Sequence, residues 1–253
     1  MNEAKVQRLV DAQAEVRRKT EQAALASVIR LVRSMSRSWY DERLITAFAR
    51  DVSYVVDSAQ RRMGSVTAEF LDAVLAEMEA APNRKRFNSV SNVRGVEPQV
   101  EWRRPAEQFR YARSIGKTDA DAQQAAEDRA KILVTDDITL AMRRAAQERM
   151  KSVDRVIGYR RVIHPEKSAS GTCGLCAVAS DRRYHVDDLL PVHGNCHCTV
   201  LPITRAHDPG SSINEADLAD LYRNAGSTSG DDLKRVRYTI TEHSELGPQL
   251  VAA

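Results

Sequence analysis

Apolar residues recur at intervals of three and four through most of the first 80 residues, which is the spacing of one face of a helix. The pattern predicts helices over 4–36, 41–63 and 66–78. Gly64 and Ser65 mark the expected break between the last two. The early turns of the first helix carry few large apolar residues, so we expect them to need a partner helix, for example from a neighbouring subunit. We assign 1–81 as an N-terminal helical region.

The helical period is lost from 82 to 104, and this segment is predicted to be a loop or linker. A loop of this length often crosses a surface or contacts a partner. Its basic run, Arg84-Lys85-Arg86, is either a phosphate contact or part of a solvated loop. Helical spacing resumes in a second helical region, 105–152, with helices predicted over 105–114 and 119–150 and with Thr118 as the N-cap of the longer one.

The period changes to two after residue 152, and alternation predicts strands over 156–163 and 196–203. We define 153–205 as a β-rich module that is expected to have little core of its own. The last region, 206–253, is predicted to be an extended tail with a short helix over 215–223, capped by Asn214, and a Ser/Gly-rich link. The tail ends in one lone strand near 236–240, which is expected to add to the sheet edge of another molecule or to pair with the β-rich module.

Composition narrows the class of protein. The chain has 253 residues, 42% hydrophobic and 29% charged, and no apolar run approaches membrane-spanning length. The first 18 residues are polar and amphipathic, which is not the pattern of a signal peptide. We therefore expect synthesis in the cytoplasm, where clustered cysteines favour metal over disulfides. A net charge of +3 does not by itself indicate nucleic-acid binding, and 5% aromatic residues argue against a stacking platform for single strands.

All four cysteines lie between 173 and 198, in the pattern C-x2-C-x16-H-x2-C-x-C. Two close-spaced ligand pairs on separate turns are typical of one structural zinc ion. Five groups compete for four positions: Cys173, Cys176, His193, Cys196 and Cys198. The first assignment uses Cys173, Cys176, His193 and Cys196, and the alternative replaces His193 with Cys198. The predicted fold class is α+β: long N-terminal amphipathic helices, a small zinc-stapled β-rich module and an extended C-terminal tail.

The module carries a family resemblance. Gly158-Tyr159-Arg160-Arg161, His164-Pro165, Cys173-x-x-Cys176 and His193-x-x-Cys196-x-Cys198 before Pro202 resemble the C-terminal signature of the MuF-like phage head morphogenesis proteins, most closely those of actinobacteriophages. That family commonly has His-Pro-Asn-Cys-Arg-Cys in the second ligand turn. Gly194 and His197 stand here for the proline and the arginine, so the chelating residues are retained. The resemblance covers about 155–204.

The resemblance implies a minor capsid protein of a tailed phage, present in few copies inside the virion near the portal vertex. Its implied roles are head morphogenesis, DNA packaging or DNA delivery. The implied partners are the portal protein or the major capsid protein. The helices suggest self-association, and the basic loop suggests non-specific contact with packaged DNA; no membrane is involved. Proteins of this kind are also often labelled capsid maturation proteases.

Two enzymatic alternatives arise from the same region. A protease that cleaves scaffold or capsid protein would draw on Ser168 and Ser170 near His164, or on His185 with Asp187 and Asp188. A base for a catalytic zinc could come from Glu166, Asp187 or Asp188. A zinc-dependent nuclease of the His-Asn-His type would use His193 and Asn195, but His193 lies within the ligand spacing. No residue is assigned a catalytic role, and a structural protein is the preferred interpretation.

Overall fold

Three long helices form the body of the protein: α1 (Glu3–Ser34), α2 (Glu42–Glu77) and α5 (Asp119–Lys151). The short helices α3 (Pro98–Glu101) and α4 (Arg104–Ser114) lie between α2 and α5 in the chain. The structure is a computed structural model that describes residues 1–36, 38–80, 92–164, 179–180, 182–188, 196–215, 238–243 and 247–252. The predicted α+β class is confirmed, because a small three-stranded sheet accompanies these helices.

Side-chain caps fix where the long helices begin. Asn2 accepts a hydrogen bond from the backbone of Lys5, and Asp41 caps α2 in the same way. Thr118 and Asp121 form a reciprocal capping box at the start of α5. The prediction that Thr118 is an N-cap is therefore confirmed.

The predicted break at Gly64 and Ser65 is wrong, because α2 runs through both residues without interruption. Met63, Gly64 and Leu71 are all buried on one side of α2. Continuous packing along that side outweighs the cost of about 1 kcal/mol that a glycine imposes on a helix.

Two large clusters make up most of the hydrophobic interior in the described part of the chain. The first, which we call the helical cluster, surrounds Trp39, Phe48, Trp102 and Phe109 and is built from α1, α2, α4 and α5 with the segments beside them. The second, which we call the shared cluster, joins the same long helices to the sheet. Within the shared cluster, the early turns of α1 are covered by this chain's own residues.

The sheet has the order β2–β1–β3, with β2 at Arg183–Tyr184, β1 at Gly158–Val162 and β3 at Thr199–Ile203. Both pairings are antiparallel, and Val162 lies opposite Thr199. Every residue of β1 and β3 is buried. The strands share a core with α1, α2 and α5, which agrees with the expectation that the module has little core of its own.

The segment predicted as a loop over 82–104 is ordered structure in its described part. Residues 98–101 form α3, and Trp102 is buried in the helical cluster. The loop prediction was wrong here because a short helix anchored by one large aromatic side chain gives no repeating apolar pattern in the sequence. The run Arg84-Lys85-Arg86 lies outside the described residues.

The C-terminal predictions also change. The chain is helical over 209–215, so Asn214 lies inside this helix and does not cap a later one, while most of the predicted helix lies outside the described residues. Strand β4 (Tyr238–His243) pairs with β5 (Gly247–Ala252) in an antiparallel hairpin. The predicted lone strand is thus wrong, because its partner follows three residues later in the chain.

No helix in the described part of the chain is both long enough and apolar enough to cross a membrane.

Candidate metal centre

The pairing of β1 with β3 brings the two ends of the signature together. Arg161 lies opposite Val200, and Val162 lies opposite Thr199. Cys196 and Cys198 therefore lie just before β3, near the end of β1. Gly158 begins β1 for a steric reason, since a Cβ there would lie 2.6 Å from the backbone oxygen of Tyr184.

Two of the five predicted ligands are described, and both are buried. Cys196 is 0% exposed and Cys198 is 4% exposed, whereas His197 between them is only half-buried. This alternation agrees with the expected placement of the two thiols on one side of the chain. Cys173, Cys176 and His193 lie outside the described residues, as do Ser168, Ser170, Glu166 and Asn195. Within the described ranges alone, no group of three or more metal-binding side chains is present.

Buried arginines from two helices hold the backbone at Cys196 and Cys198. Arg17 of α1 donates from Nη2 to the Cys196 carbonyl at 2.7 Å and to Thr139 Oγ1 at 2.8 Å. Arg143 of α5 donates from Nη2 to the Cys198 carbonyl at 2.9 Å, and the same nitrogen lies 3.7 Å from Cys196 Sγ. The segment from Cys196 to Cys198 is thereby fixed to the long helices.

Arg161 of β1 brings another buried guanidinium to the same side of the sheet. It lies over the stacked rings of Tyr159 and Tyr184, 5.9 and 5.4 Å from their centroids. Burial alone would lower the pKa of Arg161, but Tyr159 and the two thiols raise it on balance. Burial lowers the pKa of Arg143, against the opposing effect of the same thiols. Arginine stays charged in either case, so two buried guanidinium groups act on the thiols.

The histidines named as candidate bases occupy different environments. His164 is buried, and its Nε2 lies 2.9 Å from Thr199 Oγ1. His185 is exposed, with Nδ1 3.1 Å from a carboxylate oxygen of Asp187, which also pairs with Lys151. Burial, followed by the charge of Arg17, lowers the pKa of His197, which keeps that imidazole neutral near pH 7.

The other side of β1 is anchored by polar contacts that the sequence did not reveal. Arg160 donates to both carboxylate oxygens of Asp208, at 2.9 and 2.8 Å. The Asn214 amide donates to the carbonyls of Arg161 and Ser180, at 2.7 and 3.1 Å. These contacts fix the chain after β3 against β1, so both sides of the strand are covered.

Arg17 and Arg143 were missed because arginines usually mark solvated helix faces. One signal was present: Arg17 falls in the register of the buried positions Val10, Ala14, Ala24 and Val28 of α1. An arginine at an apolar position of a long helix indicates a buried charge with an internal partner.

Searches against protein-family models, curated protein sequences and solved structures found no significant match to this chain. Cys196 and Cys198 are buried thiols separated by one residue, with guanidinium groups nearby. Their chemistry fits a thiolate metal centre of the kind that zinc prefers.

Proposed function

We propose that this chain is a MuF-like minor capsid protein of a tailed actinobacteriophage. It lies inside the head near the portal vertex and acts in head morphogenesis, DNA packaging or DNA delivery. The observation that carries the proposal is the β1–β3 pairing, which places Gly158-Tyr159-Arg160-Arg161 opposite residues 200–203, shortly after Cys198 in the chain. Distant parts of one signature thus form one buried unit.

One structural zinc ion per chain belongs to the proposal. Cys196 binds it together with Cys173 and Cys176, and either His193 or Cys198 completes the shell. Burial of both described thiols supports a site closed to water, and a closed site is typical of structural zinc. The ion would hold the turns of the β-rich module together and contribute directly to the free energy of folding.

A structural role is supported by the way the module is attached. Hydrogen bonds from Arg17 and Arg143 connect the segment from Cys196 to Cys198 to two long helices, and the strands share a core with these helices. Such a unit suits a connector that keeps its shape while bound to portal or major capsid protein. Self-association through the N-terminal helices and non-specific contact with packaged DNA are further parts of the proposal.

The experiment is quantitative mass spectrometry of purified particles of the phage that encodes this chain, comparing DNA-filled heads with empty shells. We expect the protein in filled heads, in far fewer copies than the major capsid protein. A matched phage carrying Cys196→Ser should incorporate less of it. Absence of the chain from particles would refute the proposal.

The same particles test the protease alternative. Single alanine substitutions at Ser168, Ser170, His164 and His185 should leave processing of the head proteins normal if the protein is structural. Loss of processing in one of these variants, with the protein still incorporated, would favour the protease instead.

A further inference from the structure

Arg143 is a buried cation in the C-terminal third of α5. It is 4% exposed, and its Nη2 reaches both the Cys198 carbonyl and the Cys196 sulfur. Burial and the nearby Arg161 guanidinium lower the pKa of Arg143, whereas Cys196, Cys198 and Tyr159 oppose this effect.

Three other arginines with buried side chains contact carboxylates directly, in the pairs Arg94–Asp137, Arg149–Asp72 and Arg160–Asp208. A buried cation is costly unless an anion compensates it. Within the described part of the chain, the Cys196 sulfur that Arg143 contacts can supply this negative charge as a thiolate.

A metal–thiolate centre supplies that charge. A divalent zinc ion bound by three or four thiolates carries a net negative charge, because each thiolate contributes one negative unit. Neutral thiols would leave Arg143 facing only weak dipoles.

We propose that Arg143 is the charge partner of an anionic metal–thiolate centre that includes Cys196, and that it couples metal binding to the packing of α5. This inference deepens the proposed function and rests on its zinc site. Arg161 adds positive charge on the same side. The ligand class is a thiophilic divalent cation, with Zn²⁺ as the natural ion and Co²⁺ or Cd²⁺ as probes.

Two opposite effects follow for a variant without this charge. Arg143→Gln keeps a donor for the Cys198 carbonyl but removes the cation. It should weaken Zn²⁺ binding about 10- to 100-fold, the usual range for groups that support metal ligands. In the metal-free state the same variant should be at least as stable as the wild type, since an uncompensated buried charge has been removed.

The test measures Zn²⁺ affinity of the full chain by competition with a chromogenic chelator, and Co²⁺ binding by absorption of the thiolate complex. Arg143→Lys, which keeps the charge, should bind closer to wild type than Arg143→Gln. Arg149→Gln is the matched control, because Arg149 is buried on the same helix and pairs with Asp72. It should destabilise the protein without changing metal affinity.

Wild-type affinity in Arg143→Gln would overturn this inference and leave the zinc site standing. Equal weakening in Arg149→Gln would also overturn it, since the effect would then be general destabilisation. If Arg143→Gln does not fold, Arg143→Met provides the same comparison. Failure of the wild type to bind Zn²⁺ or Co²⁺ would overturn the zinc site itself, and this inference with it.

Discussion

Leu201 tests whether the sheet and the helices unfold as one unit. Its side chain is 0% exposed and belongs to the shared cluster, which also contains Val6, Val10 and Leu71 of the long helices. Leu201→Ala removes three carbon atoms, worth about 0.8 kcal/mol each in transfer free energy, or roughly 2.4 kcal/mol. The cavity left in a packed core adds to this, so we expect a loss of about 3–4 kcal/mol.

The two tryptophans make the assay selective. Trp39 and Trp102 both lie in the helical cluster, away from the cluster that contains Leu201. Urea unfolding followed by tryptophan fluorescence therefore reports the helices. If the core is one cooperative unit, the urea midpoint should fall by about 1.2–1.6 M, taking a slope of roughly 2.5 kcal/mol per M.

Ile157→Ala serves as the control, since Ile157 is 49% exposed beside the same sheet. It should change the free energy of unfolding by less than about 0.5 kcal/mol. An unchanged tryptophan midpoint in Leu201→Ala, with a separate earlier transition in far-ultraviolet circular dichroism, would refute the reasoning. The module would then be an independent unit.

Three further predictions concern single side chains. Gly158→Ala should cost about 1–3 kcal/mol in thermal unfolding, because its Cβ would meet the Tyr184 oxygen at 2.6 Å; a wild-type melting temperature would contradict this. Burial alone would raise the pKa of Asp208, but hydrogen bonds from Arg160 lower it on balance. The contribution of Asp208 to the free energy of unfolding is thus complete above about pH 4 and is lost as the pH falls through its lower folded-state pKa. Asp208→Asn should remove this acid dependence from urea unfolding curves. Burial, and then the nearby Asp137, raise the pKa of Glu101 to about 8. The folded state then holds the extra proton, so the free energy of unfolding falls as the pH rises from about 4.5 to about 8. Relative to wild type, the free energy of unfolding of Glu101→Gln should therefore be higher at about pH 9 than at about pH 5. Equal differences from wild type at both pH values would count against this prediction.

Local signals predicted most of the helical body. Helix α5 was recognised because Thr118 offers a cap and no glycine or proline interrupts the following turns. The break predicted at Gly64 was wrong because helix propensity is a local quantity, whereas the packing that keeps α2 continuous comes from α1 and α5. Propensity sums could not reveal those neighbours.

The sequence predicted the candidate metal ligands but not the arginines that hold their backbone in place. Cysteine spacing alone identified Cys196 and Cys198 as candidate ligands. The roles of Arg17 and Arg143 depend on contacts that cross 179 and 55 positions of the chain, and no local pattern encodes them. Asn214 was read as a cap, because an asparagine before a polar run is typical of a helix start.

The most direct test of the central claim is elemental analysis of the purified full-length protein beside Cys173→Ser and Cys198→Ser. The account predicts about one zinc per wild-type chain and its loss in Cys173→Ser. Retention in Cys198→Ser would assign the fourth position to His193, and loss would assign it to Cys198. A wild-type protein that is folded and contains no zinc would contradict the account.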